Sequence, residues 1–182
     1  MSSLDLPDAA LATYLQAHVP GFEGPLVSTK FQGGQSNPTY RIDAASGTYV
    51  LRRKPPGQLL ASAHAVDREF RVLSALQGNA VPVARPLHLC TDESVIGSIF
   101  YLMAFVDGRI FWDPSLPELG VDDRAATFDA LVGTLAALHR VDVAPWAWPT
   151  TASPAIISRG RSRAGANSIA PARPARLRRW TR

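Results

Sequence analysis

The stretch TYVLRRKPPG, residues 48–57, and the stretch HAVDREFRVLSAL, residues 64–76, together decide how the chain folds. Thr48, Tyr49 and Val50 are β-branched or aromatic, the composition of a strand, and the strand ends in the cations Arg52, Arg53 and Lys54. Pro55, Pro56 and Gly57 then break it, because proline has no N–H to offer a ladder. In the second stretch Val66, Phe70, Leu73 and Leu76 recur at three- and four-residue steps, while Asp67, Arg68 and Arg71 fall largely elsewhere. That spacing predicts a helix with one apolar face from Ser62 to Leu76, laid across a sheet. Glu69 sits near its middle, beside Phe70. A strand that ends in cations and a crossing helix that carries a carboxylate are the two halves of an ion pair. Strand alternation puts Arg52 on the face of Val50 and Arg53 on the face of Leu51, so either arginine is open as the partner. Taken singly, the arginines are an ordinary solvated strand end and Glu69 an ordinary surface acid.

Upstream, Asp5 to Val19 opens with acids and Pro7 and carries Leu11, Leu15 and Val19 at helical spacing, a short amphipathic helix expected to pack. Pro25 to Phe31, Thr39 to Asp43 and Thr48 to Arg53 are short runs rich in Val, Thr, Tyr and Phe, separated by residues 32–38 and 44–47. They predict a three-strand antiparallel meander. In the first connection, Gly33 and Gly34 allow close backbone approach, and Ser36 and Asn37 add donors suited to phosphate oxygens. An ordinary hairpin that uses the glycines for positive φ is the simpler reading of that loop alone. Downstream, Ala84 to Thr91 and Ile99 to Phe105 predict two more strands. From Asp122 to His139, Phe128, Leu131, Leu135 and Leu138 predict a helix capped by Asp122 or Asp123.

Composition narrows the class. At 182 residues, with 46% hydrophobic and 19% charged residues, the chain is globular. It has no apolar run of the roughly 20 residues a membrane helix needs and no signal-peptide pattern at its start, so a cytoplasmic location without membrane contact is expected. The single cysteine, Cys90, excludes an internal disulfide and reads as core packing. His18, His64, His88 and His139 are scattered without ligand spacing, which argues against a zinc site. The net charge of +4 is segregated: Met1 to Asp142 holds 11 Lys+Arg against 15 Asp+Glu, while Val143 to Arg182 holds 8 Arg and no acid.

The runs FQGGQSNPTYRI, YVLRRKPPG, HAVDREFRVLSAL, FYLMAFVDGRIF and LAALHRVD, in this order, resemble successive motifs of the aminoglycoside phosphotransferase and choline-kinase-like family. They are most similar to the branch fused to acyl-CoA dehydrogenase domains, and the resemblance spans roughly Phe22 to Asp142. It implies an α+β fold: a protein-kinase-like N-lobe with a five-stranded antiparallel sheet and a crossing helix, followed by the first helix of an incomplete C-lobe. The expected boundaries are 1–21 for the N-terminal helix, 22–106 for the N-lobe, 107–144 for the hinge exit and first C-lobe helix, and 145–182 for an Arg/Pro/Ala-rich tail. Carried over residue by residue, Gly33, Gly34, Ser36 and Asn37 form the loop over the phosphates. Arg52 stands where the family has its lysine, and Glu69 is its helix partner. Met103, Ala104, Phe105 and Val106 form the hinge whose backbone meets adenine. Relatives often have an acid at the place of Ala104, and an arginine grips phosphate differently from a lysine.

The implied partners are ATP with magnesium and a small-molecule hydroxyl acceptor. Such chemistry also needs a carboxylate for the acceptor hydroxyl and ligands for the metal. In the family these follow LAALHRVD, in an HGDxxxxN-type loop and a later acidic motif. No Asp, Glu or His follows Asp142 here. The resemblance therefore implies a truncated, inactive phosphotransferase with weak or no ATP binding and no catalytic or metal-binding residue of its own. The tail is expected to be disordered or the product of a shifted reading frame: reverse translation from the third base of the Pro145 codon can restore a family-like segment, in which Trp146 and Trp148 force Gly and Ala. Two other readings remain. One is a non-catalytic binding module whose basic tail engages nucleic acid or an anionic membrane without sequence specificity. The other is an enzyme completed by a second chain.

Overall fold

A computed structural model describes residues 5–32, 37–55 and 65–143. Helix α1 (Asp8–His18) leads into strands β1 (Leu26–Lys30), β2 (Thr39–Ala44) and β3 (Gly47–Arg53). Helix α2 (Val66–Leu76) follows, then β4 (Pro86–Cys90), β5 (Phe100–Ala104) and α3 (Val121–His139). The strands form one five-stranded antiparallel sheet in the order β1-β2-β3-β5-β4. The meander and the two later strands are therefore as the sequence predicts; the crossing helix begins at Val66 rather than Ser62, residues 62–64 lying outside the described ones. The tail from residue 144 onward, with its expected disorder or frame shift, lies outside the described residues; chain contacts group residues 1–142 as one compact unit.

The turn between β2 and β3 shows how local chemistry sets register. Ala44 pairs with Gly47 across a two-residue connection, and Gly47 has φ +134°, a conformation side chains resist. That pins Thr39 opposite Arg52 and Tyr40 opposite Leu51.

The sheet is covered on both faces, which is why Val50 and Leu51 are both buried. On one face Tyr40, Ile42, Leu51, Phe100 and Leu102 pack with Leu11, Leu15, Val19 and Phe22 from α1 and its exit, and this is the core. α2 lies on the other face, against β4 and β5. Its predicted stripe is graded: Val66 and Leu76 are buried, Phe70 and Leu73 half-buried. α3 begins one residue earlier than predicted, and its N-cap is Gly120 with no side-chain cap. Asp122 and Asp123 fall instead in the first turn, where their charge suits the positive end of the helix dipole. None of its residues is buried: Phe128, Leu131, Leu135 and Leu138, the predicted stripe, all stand exposed.

One contact holds α1 to the far strands. The Tyr14 hydroxyl lies 2.9 Å from His88 Nε2, with the Tyr14 ring stacked on His18 at 4.1 Å and edge-on to Phe100 at 6.0 Å. Burial, and then the neighbouring His18 charge, push the His88 pKa below its ordinary 6.5. Folding thus favours neutral His88, and unfolding favours its protonation. The stabilisation is present above pH 6.5 and is lost as pH falls through the lower folded value. Urea midpoints of the wild-type protein are expected to fall more steeply below pH 6.5 than those of His88→Gln. Parallel pH profiles would exclude this contribution.

Candidate functional site

Antiparallel pairing sets the site's side chains in rows. Thr39, Arg52 and Tyr101 lie opposite one another across β2, β3 and β5; Arg41, Val50 and Met103 form the next row. Alternation sends both rows to the α2 face. Glu69, one turn into α2, reaches the first row. Its Oε2 accepts from Arg52 Nε at 2.6 Å and from the Tyr101 hydroxyl at 3.2 Å. Its Oε1 accepts from Arg52 Nη2 at 3.3 Å and from Asn37 Nδ2 at 2.9 Å. Arg52 Nη1 donates to Thr39 Oγ1 at 3.1 Å. The pair is neither solvated nor sealed, with side-chain exposures of 29% for Arg52 and 35% for Glu69.

The hydrogen bond to Glu69, opposed by partial burial, raises the Arg52 pKa above its ordinary value, so the guanidinium is a permanent cation. Burial, and next the Glu69 charge, raise the Tyr101 pKa, so the phenol keeps its proton and donates.

Arg53 goes the other way. It is buried on the α1 face, where its Nε donates to Ser98 Oγ at 2.9 Å. The structure therefore brings Arg52, not Arg53, to Glu69. Asn37, read from sequence as a donor to phosphate, is buried with its amide on Glu69. Gly33, Gly34 and Ser36 lie outside the described residues.

The pair lines one cavity, and a second shares Ala84 and Met103 with the first. The first, of about 540 Å³, lies between α2 and the sheet, bounded by Arg52, Glu69, Tyr101, Val72 and Leu73. The other, of about 330 Å³, is a slot between Phe31, Val50 and the segment Met103–Val106, closed by Arg109 and Ile110. The hinge residues Met103, Ala104, Phe105 and Val106 all line this slot. Ala104 N–H is committed to Arg85 O at 2.8 Å, and Phe105 carries the Arg41 guanidinium 4.9 Å above its ring. The slot's apolar walls fit a flat heterocycle, and the Arg52 charge beyond it fits an anion. A metal does not fit equally well: among the described residues no cluster of His, Cys, Asp or Glu could hold one.

Sequence reasoning missed Thr39 and Tyr101. Tyr101 opposes Arg52 only because β3 pairs with β5 rather than with β4, a non-sequential neighbour that strand patterns do not reveal.

The sequence pattern of the phosphotransferase enzyme family matches residues 28–182. Acyl-CoA dehydrogenase family member 11 of Mus musculus is 47% identical over 138 residues, covering 74% of this chain and 18% of the relative. Family member 10 of the same organism is 45% identical over 142 residues, covering 78% and 13%. The chain thus spans less than a fifth of these relatives. A solved structure from Ralstonia eutropha, named as an aminoglycoside phosphotransferase, is 43% identical with a TM-score of 0.67, over 80% of this chain and 41% of that one. The five-stranded antiparallel sheet with its helices matches that kinase-like fold.

Proposed function

Because the chain belongs to the phosphotransferase enzyme family, we propose that it is the nucleotide-binding lobe of an ATP-dependent small-molecule kinase and that by itself it transfers no phosphate. The observation that carries the first half is the Arg52–Glu69 pair lining a cavity that shares Ala84 and Met103 with an apolar slot. Adenine occupies the slot against Val50 and Met103, where Ala104 N–H is already used and the backbone of Phe105 and Val106 supplies the polar edge. Arg52, held by Glu69, presents a fixed cation to the phosphates. A preset guanidinium loses little freedom on binding, which favours phosphate capture.

The second half rests on what phosphoryl transfer demands. A carboxylate must orient the acceptor hydroxyl, and oxygen ligands must hold magnesium against the phosphates. The acids of this chain all precede Val143, and the described ones form no metal-holding cluster. Magnesium supplies charge neutralisation to a complete kinase, but among the described residues no cluster of acids is suited to anchor it. The acceptor class, a hydroxyl-bearing small molecule, comes from the family alone, and the dehydrogenation named for the longer relatives is not carried over to so small a share of their length. The test is turnover. The purified chain with ATP, magnesium and a panel of amino-sugar and amino-alcohol acceptors is expected to release no ADP above buffer. Magnesium-dependent phosphorylation of any acceptor would overturn the proposal of inactivity.

A further inference from the structure

We propose that Asn37 and Tyr101 are positioning residues that aim Arg52 at a nucleotide's phosphates by holding the Glu69 carboxylate from two sides; this rests on the nucleotide-binding reading above. A carboxylate has about four lone-pair directions. Arg52 fills one on each oxygen, and Asn37 Nδ2 and the Tyr101 hydroxyl fill one more on each, at 2.9 and 3.2 Å. Arg52 alone cannot fix Glu69, because both are long side chains with about a third of their surface in solvent and can swing together. The added donors come from a different class of site. Both are 3% exposed or less: Asn37 just ahead of β2, and Tyr101 within β5, its ring 5.9 Å from that of Phe70. They tie a helix carboxylate to β5 and to the residues leading into β2.

The geometry has a directional consequence. With Nε and Nη2 on Glu69 and Nη1 on Thr39, the guanidinium plane is set by three fixed acceptors. The cation then meets a phosphate without reorganisation. Asn37 also leads into β2, so the ion pair and the entry to that strand share one hydrogen bond. Its amide thus acts on the ligand through Glu69 and Arg52.

The experiment measures ATP and adenosine affinities by titration calorimetry for the wild type, Tyr101→Phe and Asn37→Asp, with thermal unfolding of each. Tyr101→Phe keeps the ring and its packing. Losing a hydrogen bond to a charged group lowers the melting temperature somewhat and predicts ATP affinity about three- to tenfold weaker, with adenosine affinity unchanged. Asn37→Asp sets a second carboxylate against Glu69. At pH 8 it is expected to lose ATP affinity at least about tenfold relative to wild type, and to recover most of it at pH 5.5, where paired carboxylates share a proton. Residues with a merely structural role would weaken both ligands alike, or neither, without that recovery. The inference is overturned if Tyr101→Phe folds normally and keeps the wild-type ATP-to-adenosine ratio, or if the losses strike both ligands equally. Should the wild type bind neither ligand, the nucleotide reading fails and this inference with it; a wild type that prefers ATP leaves only this inference at stake in the variants.

Discussion

Phe100→Ala is expected to lower the unfolding free energy by about 3–5 kcal/mol, the range for deleting a fully buried phenylalanine. Phe100 is 0% exposed and sits at the join of three elements. It pairs with Arg53 on β3 and with Cys90 on β4, and its ring meets Tyr14 of α1. Truncation removes the apolar area and leaves a void that the surrounding sheet backbone cannot close, since β5 is hydrogen-bonded on both sides. Small domains have about 5–15 kcal/mol to lose, so much of the stability of this lobe would go. Urea unfolding followed by far-ultraviolet circular dichroism reads the change. A loss below about 1 kcal/mol would mean that the core between α1 and the sheet is not packed as described.

Glu69→Ala has the next largest expected effect, about 2–3 kcal/mol. The cost comes less from the lost ion pair, which solvent screens at this exposure, than from the groups left behind. Asn37 and Tyr101 are buried donors aimed at the missing carboxylate, and each unsatisfied donor of that kind costs about 1–3 kcal/mol before relaxation. Glu69→Gln keeps one acceptor oxygen and is expected to cost roughly half as much. The same urea assay checks both. Equal effects from the two substitutions would show that the carboxylate charge, and not the count of acceptors, sets the energetics.

Much of this architecture was open to reading because period and punctuation agree along the chain. Leu11, Leu15 and Val19 share a face and are buried; Val66 and Leu76 bracket the apolar edge of α2. The strands end within about two residues of their predicted limits, where Gly and Pro interrupt them. The pairing of Arg52 with Glu69 was legible from the resemblance, but strand alternation alone did not choose it over Arg53. Val50 and Leu51 are both apolar, so the strand carries no mark of which face holds the core; that is decided by α1, which covers the Leu51 side. The Asn37 contact with Glu69 was not legible for a similar reason. The two are 32 residues apart, and a polar residue in a glycine-rich loop looks the same whether it faces a ligand or a carboxylate. The stripe of α3 was read correctly as a stripe, yet periodicity reports which residues share a face and not what covers them; Leu131 is 61% exposed.

The nucleotide reading makes Arg52 the phosphate-binding cation beside the slot, with Arg53 a core residue. Affinities of ATP and adenosine for the wild type and for Arg52→Gln test it most directly. The wild type should bind ATP more tightly than adenosine, and Arg52→Gln should bind both with the same affinity while keeping its adenosine affinity. A full preference for ATP surviving in Arg52→Gln would contradict the account.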